Sequence, residues 1–437
     1  MSKFVLIGSG LAGGLLAAYL GRRGYDVDLY ERRGDPREGS MLEGRSINLA
    51  LSTRGIHALE QIGIANEVLQ HAIPMRGRMI HEKSGGLHFA PYDVDPNKHI
   101  NSIGRAALNM TVIEAAQRSP NVRVHFNHKC TNVDLDDATA HLETPSGKVD
   151  AQGDAVIGVD GAFSAVRQSM ELNVPNFQYD ESYLAHGYKE LAIPPGPNGS
   201  WQMEKNALHI WPRKSFMMIA LPNPDGSFTC TLFWEFEGPR SFASTRTDDD
   251  IRRFFGEEFP DAVPLMPNLV DDFKINPTGS LVTIRCAPWN YEDKVALVGD
   301  AAHAVVPFYG QGMNAAFEDC VVLDECLGKF PENRQRAFAE YFNRRKTNAD
   351  ALADLALGNF IEMRDKTASK TFRAKKRLDH FLEAALPGTY LPLYTMVTFT
   401  RIPYAKAKRR ANIQDSIVYG ALVALAVIAI WLIALLA

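Results

Sequence analysis

The residues that stand out for chemistry lie at the start of the chain. Gly8-Ser9-Gly10-Leu11-Ala12-Gly13 is a G-x-G-x-x-G run, placed directly after the apolar stretch Phe4 to Ile7 and before a helical pattern. In such a run the first glycine makes the turn and the second lets the backbone approach a pyrophosphate. The third allows helix and strand to pack closely. Free N–H groups at the helix start then attract the anion. Glu31 closes the next strand pattern, 21 residues beyond Gly10. A carboxylate there can bind both ribose hydroxyls and repels a 2′-phosphate, which points to FAD or NAD and away from NADP. The competing reading is a glycine-rich packing turn. The strand, the helix and the acidic residue at the right spacing argue against it.

Two further strand–turn–helix patterns carry acidic turns. Asp160-Gly161 follows a strand ending at Val159 and leads through Phe163 and Ser164 to Arg167. Its plain reading is an ordinary link in which Asp160 caps the helix. Later, Val295 to Val298 runs into Gly299-Asp300 and His303, then into Pro307-Phe308-Tyr309-Gly310-Gln311-Gly312-Met313-Asn314. Asp300 can bind a ribityl hydroxyl, and a helix beginning near Gly312 can aim N–H groups at an anion or an electron-rich carbonyl. His303 reads as a satisfied strand-end histidine, and Cys320 as a small buried hydrophobe. No His, Cys, Asp or Glu spacing points to a metal.

The elements that must position these residues follow from periodicity. Strand (4–7), glycine turn (8–14), helix (15–23) and strand (27–30) form a βαβ unit, the mark of a parallel sheet. Helical patterns at 54–70 and 106–118 and strands at 122–126 and 155–159 extend it. From about 180 to 276, Pro- and Gly-rich turns separate strand-like runs such as 216–221 and 228–236, an antiparallel texture. From 331 to 411 the pattern is helical and charged. The reading is therefore interleaved: a nucleotide-binding sheet built from the first third and the segment around 280–325, with an antiparallel sheet inserted between them.

Composition agrees with a folded enzyme-sized chain. Its 437 residues are 46% hydrophobic and 22% charged, which excludes a disordered or collagen-like chain. A net charge of −4 gives no reason to expect a nucleic-acid partner. Five cysteines without a C-x-x-C pair read as reduced thiols. Residues 417–437 are 21 uncharged positions, about 31 Å of helix, which matches a bilayer core. Arg401, Lys406, Lys408, Arg409 and Arg410 precede them, so the large N-terminal part is expected in the cytoplasm. A buried core helix is the competing reading for this run.

The three motifs, in this order and spread over about 3–330, resemble the single-FAD-domain aromatic hydroxylases. A tighter resemblance, carried by segments 44–52, 73–81, 125–128, 307–319, 359–364 and 392–397, is to the kynurenine 3-monooxygenase family. It implies an α/β fold: a Rossmann-like FAD-binding domain (1–75, 100–179, 277–330) and an antiparallel-sheet substrate domain (76–99, 180–276). A helical C-terminal region (331–411) and a transmembrane anchor (417–437) complete the chain. FAD contacts are implied at Gly8, Gly10, Ala12, Gly13, Tyr30, Glu31, Arg32, Arg33, Ala50, Arg105, Cys130, Asp160, Gly161, Asp300, Gly312, Met313 and Asn314. Cys130 departs from the family's usual apolar residue. Substrate contacts are implied at Arg78, Tyr92, Asn359, Glu362, Met363 and Tyr394, and Pro307, Phe308, Tyr309, Gly310 and Gln311 form a loop over the flavin. Arg78 suits a carboxylate because its guanidinium can bind it bidentately. Asn359, Glu362 and Met363, at i, i+3 and i+4, would share a helix face.

The implied reaction is hydroxylation of L-kynurenine to 3-hydroxykynurenine with tightly bound FAD, transient NADPH and O₂, through a C4a-hydroperoxyflavin. No catalytic acid or base is invoked. The implied location is a bacterial inner or a mitochondrial outer membrane. The alternatives are a same-fold flavoenzyme acting on another aromatic or a membrane lipid, and a non-catalytic tethered nucleotide-binding protein.

Overall fold

The short apolar runs of the first third become parallel strands in the computed structural model, which describes residues 2–38, 48–93, 95, 97–362 and 370–436. One sheet has six strands in the order Asn290–Tyr291, Val295–Leu297, Ala155–Gly158, Lys3–Ile7, Asp26–Tyr30, Val122–His125. All neighbours are parallel except the Asn290–Tyr291 edge. Ile7 lies opposite both Gly158 and Tyr30, and Gly158 lies opposite Leu297. This register brings the carboxyl ends of four strands to one edge. Gly8, Glu31, Asp160 and Asp300 stand just beyond those ends. Ligands of open parallel sheets bind outside such an edge.

The first helix spans Leu11–Arg22, four residues earlier than the hydrophobic pattern indicates. Gly13 and Gly14 sit inside it for a steric reason. A Cβ at Gly13 would stand 1.9 Å from the Gly8 carbonyl oxygen, and one at Gly14 would stand 2.8 Å from Val112. The helix expected over 54–70 is two helices, Thr53–Gln61 and Ala65–Leu69. Gly63, with φ of 80°, breaks it; that left-handed conformation is cheap only for glycine.

The second large sheet has seven strands in the order Gly279–Ala287, Gln178–Ile193, Phe228–Glu235, Met217–Pro222, Ala207–Pro212, Gly77–His81, Leu87–Pro91. Only the Ala207–Pro212 pairing with Gly77–His81 is parallel. Gly279–Ala287, which falls in the segment 277–330 read from the sequence as FAD-binding, thus pairs in this sheet and not in the six-stranded one. Its pairing covers an edge that the 16-residue strand Gln178–Ile193 would otherwise leave open. Alternation along the strands sorts the two faces. Trp211, Met218 and Trp234 pack on Phe254, Phe255 and Phe273 of two helices, Asp248–Glu258 and Leu269–Ile275. Ile210, Met217 and Phe233 pack toward Phe308, Leu355 and Phe360. Two smaller sheets are not foreshadowed in the sequence. One joins Asn48–Leu51, Ile100–Gly104 and Ile73–Met75, and the other Lys129–Asp134, Thr139–Thr144 and Gly147–Gln152.

The C-terminal region holds the helices Arg334–Ile361, Lys370–Ala385, Leu393–Thr398 and Tyr404–Leu436. Within the last, Tyr404–Leu435 is long and apolar enough to cross a membrane, and its most apolar stretch is not buried in the protein. The competing reading, a buried core helix, is therefore set aside. Met363 and positions 44–47 of the first resembling segment lie outside the described residues.

Two measurements check this reading of the fold. Gly13→Ala forces the turn and helix apart and should cost about 1–3 kcal/mol in urea unfolding. In Gly10→Ala the new Cβ meets nothing within 4 Å, and the unfolding free energy of the cofactor-free chain should stay within about 0.5 kcal/mol of the parent. On the outer face of the seven-stranded sheet, His209 is wedged between His81 Nε2 (2.9 Å) and the Glu204 carbonyl (2.8 Å). Burial pushes it down to about 4. The unfolded chain then binds the extra proton, so this contribution to stability is present above about pH 6.5 and is lost as pH falls toward 4. Chemical unfolding across that window should show a shallower slope for His209→Asn.

Candidate active site

The glycine turn is built to face an anion. Gly8 has φ of 105°, and a Cβ there would stand 2.7 Å from the Val159 carbonyl oxygen. The helix Leu11–Arg22 has no side-chain cap at Gly10, so its first N–H groups are left for a ligand. Glu31 is buried and accepts hydrogen bonds from Ser9 N (2.8 Å), Arg33 N (3.1 Å) and Arg33 Nε (2.7 Å). Those bonds and the Arg33 charge outweigh burial and hold its carboxyl below the usual range. Arg32 and Arg33 are exposed. Tyr30 stacks on His125 with centroids 4.6 Å apart.

The second and third motifs meet the first. Asp160 Oδ2 accepts from Ala165 N at 2.7 Å, but the helix cap is Ser164, which accepts from Arg167 N. Asp160 Oδ1 is buried without a hydrogen-bond partner, as is Ser9 Oγ. Burial raises the Asp160 carboxyl. Cys130 lies within electrostatic reach of Asp160, and burial pushes its thiol up to about 12. Buried Arg167 donates to the Ala301 carbonyl (2.9 Å) and the Ala162 carbonyl (2.6 Å), tying the Asp160-Gly161 loop to the Asp300 loop. Gly161, with φ of 85°, turns away with open space around it. Gly299 packs 3.6 Å from the Ala12 methyl, measured from a built Cβ, so Asp300 sits beside the first helix. Burial raises its carboxyl, and the Arg105 charge opposes that. Arg105 is the exposed first residue of the helix Arg105–Gln117.

The far end of the cleft is a braced loop. Asn314 donates to the Ala50 carbonyl (2.8 Å) and the Gly310 carbonyl (2.9 Å), and accepts from Ser52 N (2.9 Å). Gly310 is left-handed, with φ of 66°. Gln311 precedes the helix Gly312–Lys329 and provides no side-chain cap, so the N–H groups at Gly312 and Met313 face outward from the helix end. Asn359 donates to the Phe308 carbonyl at 2.6 Å. Its amide therefore braces the loop, a role that residue type and spacing do not reveal. Phe360 stacks on Phe308 at 4.2 Å.

Beyond the loop lies a cation among aromatic rings. Arg78 projects from the same sheet face as Ile210, since its register partner Leu208 is two residues from Ile210 on that strand and packs in the same cluster. Its Cζ is 5.1 Å from the Tyr394 ring and 5.8 Å from the Tyr92 ring. Tyr92 and Tyr394 stack at 5.3 Å, and Tyr309 and Tyr394 at 5.8 Å. Arg78 Nε and the Tyr92 hydroxyl are buried without a hydrogen-bond partner. Glu362 is within electrostatic reach of Arg78 and Tyr309. Phe399 closes the cluster, 6.1 Å from Tyr394. The hydroxyls of Tyr92 and Tyr309 are held protonated far above their usual range by burial. Among the described residues no group of three or more His, Cys, Asp or Glu could hold a metal.

A buried ionic network, unread in the sequence, supports both halves. Asp319 accepts from Gly299 N (3.1 Å), His303 (2.5 Å) and Arg345 (2.5 Å). Glu318 bonds Arg345 and Arg54. The adjacent acidic pair 318–319 was visible in the sequence, but its arginines are 264 and 26 positions away, and no spacing rule joins them.

These residues fit a dinucleotide cofactor: an uncapped helix start, open space over Gly10 and orphaned polar atoms at Ser9 and Asp160 all lie at one strand edge. The FAD binding domain family matches residues 2–356. Kynurenine 3-monooxygenase of Myxococcus xanthus is 49% identical over 94% of this chain and 89% of its own length. That of Dictyostelium discoideum is 46% identical over 92% and 89%. Among solved structures, 2-methyl-3-hydroxypyridine-5-carboxylic acid oxygenase shares the fold with a TM-score of 0.68, at 20% identity over 91% of this chain and 96% of that one. The chain therefore belongs to the FAD binding domain family and, within it, to the kynurenine 3-monooxygenases.

Proposed function

We propose that this chain is an FAD-dependent, NADPH-using monooxygenase that hydroxylates L-kynurenine to 3-hydroxykynurenine. The observation that carries the substrate end is Arg78, half-buried with a buried, unpartnered Nε, beside the loop that borders the cofactor cleft. A cation out of water needs an anion to offset its lost hydration. The α-carboxylate of an amino acid supplies one, bound by the guanidinium fork. A neutral membrane lipid supplies none.

The chain's own residues divide the work. Gly8, Gly10, Ala12 and Gly13 cradle the cofactor's pyrophosphate at the helix start. Glu31 takes ribose hydroxyls, with Tyr30, Arg32 and Arg33 around the adenine end. Asp160, Gly161, Cys130, Arg105 and Asp300 line the middle. Ala50, Gly312, Met313 and Asn314 hold the ring system. When bound and reduced by NADPH, FAD supplies the oxygen-transferring chemistry. Arg78, Tyr92 and Tyr394 hold the substrate carboxylate, and Glu362 suits its α-ammonium. Asn359 keeps Phe308 and Tyr309 over the ring, where the loop Pro307–Gln311 excludes water. Met363 belongs to the same group by resemblance. No side chain is asked to act as acid or base. The helix Tyr404–Leu435 anchors the enzyme with its catalytic part on the cytoplasmic side, where the basic residues 401–410 lie.

The purified chain should be yellow and carry FAD. Anaerobic stopped-flow should show flavin reduction by NADPH accelerated by L-kynurenine; a colourless chain that takes up no FAD, or reduction indifferent to kynurenine, sinks the reading. Arg78→Ala removes a charged hydrogen-bond donor and should raise the KM for kynurenine about 10- to 100-fold. An unchanged KM in steady-state NADPH oxidation would remove Arg78 from the substrate site.

A further inference from the structure

The loop over the cofactor has three holds, and they come from different parts of the chain. Asn359 Nδ2 holds the Phe308 carbonyl at 2.6 Å, and Asn314 Nδ2 holds the Gly310 carbonyl at 2.9 Å. The third hold is on Gln311, which is 2% exposed. Its Nε2 donates to Ser52 Oγ at 3.2 Å, and its Oε1 accepts from the Tyr404 hydroxyl at 3.1 Å. Tyr404 is the first residue of the apolar helix Tyr404–Leu436 and is fully buried. Nothing in its packing requires the hydroxyl, since a phenyl ring would fill the same space. Its ring lies 4.0 Å from the Arg54 guanidinium carbon. Arg54 in turn bonds Glu318 and the Ile402 carbonyl, so the tyrosine is held on both sides. The helix it begins packs Ala407 and Ala411 into the same cluster as Leu352, Leu355 and Phe308.

Gln311 immediately precedes the helix Gly312–Lys329. Its position sets where that helix's first N–H groups point, and the holds on the Phe308 and Gly310 carbonyls lie three residues and one residue before it. A buried acceptor left unpaired pulls its amide toward another partner, and a displacement of an ångström at a reacting centre is enough to cost rate.

We propose that Tyr404 is a positioning residue for oxygen transfer: its hydroxyl, acting through Gln311, sets the loop Pro307–Gln311 against the cofactor. The base of the apolar helix is thereby part of the active site's geometry without touching substrate. This rests on the monooxygenase reading above.

The test uses the full-length holoenzyme and compares Tyr404→Phe, Gln311→Leu and the double variant. Tyr404→Phe should keep its FAD, its melting temperature and a KM for kynurenine within about twofold of the parent, with flavin reduction by NADPH also unchanged. Product formed per NADPH consumed should fall by about threefold or more, with hydrogen peroxide accounting for the difference. Gln311→Leu, which also gives up Ser52 Oγ, should uncouple at least as much, and the double variant should be no worse than Gln311→Leu, because the Tyr404–Gln311 contact is already broken in it. A parental product-to-NADPH ratio in Tyr404→Phe overturns the proposal, as do additive losses in the double variant. So does loss of FAD or of kynurenine affinity in Tyr404→Phe, which would make the tyrosine a structural residue only. Failure of the underlying reading shows separately, as a parent enzyme that forms no hydroxylated product.

Discussion

The structure turns on a set of charges held almost entirely out of water. Asp319 and Arg345 are buried together, with Glu318, Arg54 and His303 completing their hydrogen bonds. Buried ion pairs add little to stability against an apolar replacement, because desolvation offsets their attraction. Their value is geometric. Each charge tolerates one arrangement of partners, and a broken pair leaves an unpaired charge in a low-dielectric core. Here the arrangement fixes five elements at once: the Gly299 turn, the helices bearing Arg54, Glu318 and Arg345, and the chain at Ile402.

That set connects two otherwise separate architectures. The six-stranded sheet delivers backbone turns and carboxylates to one edge, which suits a long anionic dinucleotide. The seven-stranded sheet delivers one cation, Arg78, ringed by tyrosines, which suits a zwitterion. The loop Pro307–Gln311 lies between them, pinned by amides and one phenol. Oxygen transfer to an aromatic ring depends on distance more than on acid–base help. Burial raises the nearby phenols, so they stay neutral donors.

The family's motifs were legible because each is local. Gly8 to Gly13 with Glu31 needs only one βαβ unit, in which a Cβ at Gly8 or Gly13 would stand 2.7 or 1.9 Å from a backbone oxygen. The same holds for the strand runs and for the apolar run at 417–437. Less local features were read imperfectly. The first helix begins at Leu11 because packing against Val159 and Val112, not the hydrophobic pattern, decides its start. The strand Gly279–Ala287 joined the other sheet because its partner lies about a hundred residues earlier in the chain. Asn359, read through resemblance as a substrate contact, also donates to the Phe308 backbone, a tie that its position in the chain does not announce.

By itself the sequence determined the chemistry available: an anion-binding turn, acidic strand ends, a guanidinium suited to a carboxylate and a helix long enough for a bilayer. These depend on residue type and on spacings within about thirty positions, which backbone geometry alone converts into structure. Only the tertiary structure decided which of them meet. Arg54 reaches Glu318, Arg167 reaches Ala301 and Tyr404 reaches Gln311 across 264, 134 and 93 positions. Such pairings leave no periodic trace, because they are set by how buried charges and hydroxyls find partners once the core has excluded water.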